Sequence, residues 1–253
     1  MLHFYFPVLI KKNYIIKMRN GIKFAIRPKR RKVVGDIDIL IEVIMEDQYG
    51  INKILKIGHK VIDIGGHVGF FSVLASKIIG KEGKIYVFEP SQSNFSGLIK
   101  NLRLNKIKNV IAYNMAVGKL NKKTELFISK DNVGAHSLIR NQNTNSVEVK
   151  STNLKRIFQE NHLKRINLLK LDCEGGEYEI LLKSPLSVLR KIDTIILEQH
   201  LTPYTKKYEE KSIINRLNSI GFYTQTLKKI YYKSEGVFKI ILAKRNENHR
   251  NSV

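Results

Sequence analysis

The 253-residue chain has one cysteine, no tryptophan, five prolines, and 22 Asp and Glu residues against 45 Lys and Arg. A single cysteine, Cys173, excludes an internal disulfide and a cysteine-rich zinc site, and it suits a reducing compartment, so the expected location is the cytoplasm. The opening MLHFYFPVLI places only ten residues before Lys11, and a bilayer span needs about 20. That stretch also lacks the basic residues that precede the apolar part of a secretory signal. A first strand and a membrane-surface contact both fit it.

The shortage of acids leaves a formal net charge of +23. A surplus of this size suits an anionic partner: a nucleic acid, an anionic membrane surface or an acidic glycan. Compositional drift in an A+T-biased genome accounts for it too, because the lysines are spread along the chain. The one dense basic block is Arg27-Pro28-Lys29-Arg30-Arg31-Lys32.

Hydrophobic residues make up 43% of the chain, enough for a full core. Residues 14–27 read as a hairpin about Asn20-Gly21. Residues 36–49 have helical spacing, with Asp36 or Asp38 as cap. From Lys60 the pattern alternates. Strands are expected over 61–64, 84–89 and 110–117, and helices over 68–79 and 93–104. That order predicts βαβ units and a parallel sheet. A β insertion follows, with β-prone runs at 124–129 and 146–151 around a polar stretch, 131–145, and a short helix begins at Asn153. Strands return at 166–172 and 194–200, with helices over 177–183 and 206–219. Two antiparallel strands, 222–228 and 237–245, close the fold, and a polar tail follows.

In such a sheet, ligands bind outside the carboxyl ends of the strands. The first of those ends reads Asp63-Ile64-Gly65-Gly66-His67-Val68-Gly69. Glycines there let backbone approach a ligand. The next strand ends on Glu89, 26 positions after Asp63, where a carboxylate can accept hydrogen bonds from both hydroxyls of a ribose. The glycine register is not Gly-x-Gly-x-x-Gly. Asp63 would repel a pyrophosphate and suits a cofactor with an ammonium group, as S-adenosylmethionine has.

VIDIGGHVGFFSVLA (61–75), KIYVFEPSQSNFSGL (84–98), VIAYNMAVG (110–118), INLLKLDCEGGEYEIL (166–181) and TIILEQH (194–200) together resemble the FkbM family of S-adenosylmethionine-dependent methyltransferases. The likeness runs over roughly 19–200. The chain departs from the usual family pattern at Gly66, His67, Cys173 and Gly176, and His67 stands where the family usually has Asn. The resemblance implies a class I methyltransferase fold: α/β, Rossmann-like, with a seven-stranded, mostly parallel sheet, its last strand antiparallel, and helices on both faces. It implies an N-terminal extension (1–50), a methyltransferase domain (51–245) and a tail (246–253). The donor would be S-adenosylmethionine, and the acceptor a hydroxyl on a sugar, glycolipid or other small molecule. Asp63, Gly65, Gly66, His67 and Gly69 would hold the methionine end, and Glu89 the ribose. Asn114, Met115 and Ala116 would lie near the adenine.

A hydroxyl nucleophile needs its proton removed by a base, or its pKa lowered by a metal. The candidates stand at the ends of the fourth and fifth core strands. Asp172, Glu174 and His200 are the expected catalytic residues. Asp172, Glu174 and Glu198 could hold Mg2+. Glu177 reads as a helix-capping acid, and Cys173 as packing. His136, Ser137 and Arg140, in the polar stretch, are possible acceptor contacts. Two other readings remain open on the charge: RNA as the methyl acceptor, and a non-enzymatic module docking on an anionic surface.

Overall fold

VIDI and INLLKL are dense in β-branched and aliphatic residues because both faces of these strands are covered. In the computed structural model, which describes residues 12–28, 33–118, 123–129, 132–134, 136–139, 145–232 and 236–246, they lie side by side at the centre of a seven-stranded sheet. The chain opens with a hairpin, β1 (Tyr14–Lys17) and β2 (Lys23–Ile26). Next come α1 (Asp36–Leu40), which continues as a π-helical turn over Ile41–Met45, and the short α2 (Ile51–Ile54). The parallel core begins with β3 (Lys60–Ile64), α3 (Phe70–Ile79), β4 (Lys84–Phe88), α4 (Gln92–Leu104) and β5 (Val110–Tyr113).

The insertion consists of β6 (Ala116–Val117), β7 (Thr124–Ile128), β8 (Asn145–Val149) and β9 (Ser151–Thr152). The core resumes with α5 (Leu154–Glu160), β10 (Ile166–Leu171), α6 (Gly176–Lys183), α7 (Leu186–Leu189) and β11 (Ile192–Leu201). It closes with α8 (Ser212–Asn218), β12 (Phe222–Tyr232) and β13 (Gly236–Arg245). The sheet order is β12-β13-β11-β10-β3-β4-β5. Only β13 runs against its neighbours, pairing antiparallel with both β11 and β12. The expected α/β architecture with an antiparallel last strand is therefore present.

Two apolar layers cover the sheet. On one face Phe70, Phe71, Val73, Ile79 and Leu98 of α3 and α4 pack with Phe24 and Ile26 of the hairpin and Leu40 of α1. On the other, Leu154, Phe158, Tyr178, Leu181 and Leu217 cover β10 and β11. The hairpin is fixed by Asn101 of α4, fully buried: its Oδ1 accepts from Ala25 N at 2.7 Å and its Nδ2 donates to Val68 O at 2.9 Å.

Three elements differ from the sequence reading. The strand expected over 110–117 breaks after Tyr113. Asn114 turns its amide back to the carbonyls of Glu89 and Pro90, at 2.9 and 3.0 Å, which hands Ala116 and Val117 to a parallel pairing with Ser151 and Thr152. The helix expected over 36–49 widens to a π turn and ends at Met45. The helix expected from 206 begins at Ser212, after a 3-10 turn over Pro203–Thr205. The expected strand over residues 1–10, most of the basic block (29–32), Arg140 and the tail from 247 lie outside the described residues.

Candidate active site

The sheet register aligns Ile64, Phe88 and Leu171 across β3, β4 and β10, so the loops that follow them open on one edge. Gly65, Gly66 and Gly69 are required there by the packing of the protein itself. A Cβ on Gly65 (φ +81°) would sit 1.7 Å from the Asp172 carbonyl, and one on Gly66 would sit 2.3 Å from Val87 Cγ2. The backbone approach anticipated toward a ligand is thus first an approach of β3 to β10 and β4. Gly65 N and Gly66 N both donate to Phe88 O, at 3.0 and 3.1 Å.

Glu89 sits between the two loops, 5% exposed. Its Oε2 accepts from His67 N at 2.8 Å and its Oε1 from Ser91 N at 2.9 Å. Burial pushes its carboxyl up to about 7, against the pull of those two N–H donors. The Asn94 side chain hydrogen-bonds this carboxylate too, and its remaining acceptor capacity fits a diol hydroxyl such as those of the ribose of S-adenosylmethionine. Asn114 braces the Glu89-Pro90 backbone, and Ala116 is buried in β6.

His67 takes a left-handed backbone (φ 49°). Its Nε2 lies 3.1 Å from Arg27 Nη2 and 3.6 Å from Asp36 Oδ1. Burial pulls its imidazole down to about 3, although Asp36 opposes this. His67 is therefore neutral, part of a clasp in which Arg27 also reaches Asn94 of α4 at 2.8 Å. Arg27, the first residue of the basic block, has its charge met by Asp36 at 2.6 Å.

Asp63 does not reach the surface. It is fully buried, accepts from Ser72 Oγ at 2.7 Å and lies 3.3 Å from Lys170 Nζ. Burial raises its carboxyl, and Lys170 offsets part of that. Lys170 itself is 3% exposed, donates to Gly65 O at 2.8 Å and lies 3.4 Å from Asp172 Oδ2. Burial opposes its charge, and the carboxylates of Asp63 and Asp172 more than restore it. One ammonium therefore joins the glycine loop, the β3 acid and the β10 acid. Sequence reasoning passed over Lys170, although a lysine inside the apolar run INLLKL is itself a signal. Tyr49 was missed too: its hydroxyl donates to Asp172 Oδ2 at 2.9 Å.

Beyond Asp172 an acid–imidazole cluster forms. One ligand atom each from Asp172, Glu174 and His200 lies within 4.8 Å of the others. His200, in β11, is 2% exposed, and its Nδ1 lies 2.8 Å from Glu177 Oε1. Its Nε2 faces Glu174 at 3.3 Å and Glu198 at 3.9 Å. Burial opposes a charge on this imidazole, but Glu174, Glu177 and Glu198 together raise its pKa well above the usual value. Burial also raises Asp172, but Lys170, His200 and the Tyr49 hydroxyl hold it below the usual carboxylate range. Burial and the Asp172 charge push Glu198 up. The same two causes push Glu42, in the π turn, up to about 7.

The capping role expected of Glu177 is half of what it does. Its Oε2 accepts from Gly175 N at 2.9 Å, and its Oε1 accepts from His200 N at 2.8 Å and takes the ring nitrogen. Cys173 is half-buried. Burial and Glu177 push its thiol far up, as expected of a packing residue. From the polar stretch, Ser137 donates to Glu174 O at 2.6 Å, and burial pulls the half-buried His136 down to about 4.

Comparison with known proteins agrees with this architecture. The family model described as the methyltransferase FkbM domain matches residues 63–228. Methyltransferase 1 of Beauveria bassiana is 25% identical over 158 residues, which cover 54% of this chain and 63% of that protein. The chain thus matches less than two thirds of that relative's length. Among solved structures, Trm5b of Pyrococcus abyssi superposes with a TM-score of 0.50 at 14% identity, over 93% of this chain and 56% of that one. An rRNA-methylase candidate from Clostridium thermocellum gives 0.50 at 13% identity, over 81% and 96%. At these identities the two structures speak for the fold alone.

Proposed function

The chain belongs to the FkbM methyltransferase family, and from that premise we propose that it transfers a methyl group from S-adenosylmethionine to a hydroxyl oxygen of a sugar, a glycolipid or another small neutral molecule. Glu89 would hold the ribose. The glycine loop, locked by Lys170, would face the methionine end. In place of the buried Asp63, the half-buried carboxylate of Asp172, whose Oδ2 is held by Tyr49 and Lys170, would meet the ammonium or the acceptor. The donor supplies a methyl group on a cationic sulfur, so the protein's task is largely to position the two partners and to take a proton.

The observation that carries the oxygen assignment is the acid cluster. Asp172, Glu174, Glu198 and Glu42 gather at one edge of the sheet in a chain of net charge +23. Carboxylates accept hydrogen bonds from neutral hydroxyls and repel phosphates. Asp172, held below the usual carboxylate range by Lys170, His200 and the Tyr49 hydroxyl, is the proton acceptor this reading favours, and His200 lies among the carboxylates around it. The net charge is the one observation that favours RNA, and these acids oppose it at the point of transfer.

The test is transfer of radiolabelled methyl from S-adenosylmethionine to neutral glycans and to RNA. Label in the glycan fraction, reduced at least about 100-fold by Asp172→Asn, is the expected result. Label in RNA alone would overturn the reading.

A further inference from the structure

We infer that Asp172, Glu174 and His200 form a site for one divalent transition-metal cation of the Mn2+ type, with Glu177 orienting the histidine. The inference rests on the methyltransferase reading only for its purpose, because metal binding is measurable without it.

The three donors come from separate backbone positions, namely the end of β10, the left-handed residue Glu174 (φ 53°) and the end of β11. Their ligand atoms lie within 4.8 Å of one another. Donors sharing one ion at about 2.1 Å lie no more than about 4.2 Å apart, so small rotamer shifts close the set.

A second feature of His200 is independent of the acids' proximity. Glu177, fully buried, takes the Nδ1 side of the ring at 2.8 Å and is itself fixed by the N–H groups of Gly175 and His200. A carboxylate behind the histidine is the usual arrangement for a metal-bound imidazole, since it fixes which nitrogen is presented. The nitrogen presented here is Nε2. It makes no hydrogen bond among the described residues, and its polar neighbours are carboxylate oxygens at 3.3 and 3.9 Å. An ion there would be met by the carboxylates of Asp172 and Glu174 as well.

The donor set also selects the ion. The sequence expectation was three carboxylates, Asp172, Glu174 and Glu198, and so Mg2+. The structure replaces Glu198 with an imidazole, which favours Mn2+, Co2+ or Zn2+ over Mg2+. Three protein ligands leave positions for solvent or for the acceptor's oxygen.

The test uses the full chain, stripped with EDTA and titrated with Mn2+ while the free-ion electron paramagnetic resonance signal is followed. One saturable Mn2+ per chain is expected, with Mg2+ competing at least about tenfold more weakly. Glu174→Gln and His200→Ala should each weaken binding at least about tenfold. In the wild-type protein the bound Mn2+ should show nitrogen modulation from one imidazole, a readout that does not depend on any variant folding. The absence of a saturable site, the absence of nitrogen modulation, or equal competition by Mg2+ would each overturn the inference. Binding of S-adenosylhomocysteine, measured on the same samples, separates the two ideas: intact binding without a metal site defeats this inference and leaves the methyltransferase reading standing.

Discussion

Lys170 is the residue on which the site turns. Its ammonium is the one positive charge shared by the buried Asp63 and the more open Asp172. Replacing it with methionine, Lys170→Met, leaves buried carboxylates unpaired, which costs about 3–5 kcal/mol. In a chain of this size that lowers the melting temperature by roughly 10 °C at neutral pH. Without the lysine, both carboxylates take up protons more readily in the folded than in the unfolded chain. The variant's deficit should therefore shrink as pH falls toward about 5, which a series of thermal melts would check. Part of this site was legible beforehand. Asp172, Glu174 and His200 stand at strand ends, where the fold places chemistry. Lys170 left a signal, a lysine inside an apolar run, but its partners, the Tyr49 contact and the Glu177–His200 contact were not legible because they depend on which side chains meet across β3, β10, β11 and the chain before α2.

At the scale of elements, the glycine loop shows how a motif can be right for a different reason. Gly65 was expected to admit a ligand, yet its missing side chain is what lets β3 pass the Asp172 carbonyl. Gly65→Ala adds a Cβ at a left-handed position and against backbone that cannot yield. The variant should lose at least about 2 kcal/mol of stability and any affinity for S-adenosylhomocysteine, as denaturant titration and calorimetry would show. Central strands were legible because a strand covered on both faces must be apolar along its length. The break at Asn114 was not, since it depends on an amide reaching carbonyls 24 and 25 positions away. The π turn carries Glu42 toward Asp172, and its extra residue per turn leaves no mark on the hydrophobic spacing.

Across the whole molecule, the positive surplus and the acid cluster are separate features. The surplus is spread along the chain, while Asp172, Glu174, Glu198 and Glu42 gather at one edge of the sheet. No helix among the described residues is long and apolar enough to cross a membrane. The architecture is a class I methyltransferase sheet, and we propose that its carboxyl edge holds a nucleoside beside a set of proton acceptors. Glu89 tests this most directly. Its folded-state carboxyl, raised to about 7, must ionise to accept from two ribose hydroxyls. The measurement is calorimetric titration of S-adenosylhomocysteine at several pH values. One site per chain is expected, tightening between about pH 6 and about pH 8 with release of a proton. In Glu89→Gln the affinity should fall at least about tenfold and the pH dependence should vanish. No binding by the wild-type protein, or binding that Glu89→Gln leaves unchanged, would contradict a ribose-binding role for Glu89.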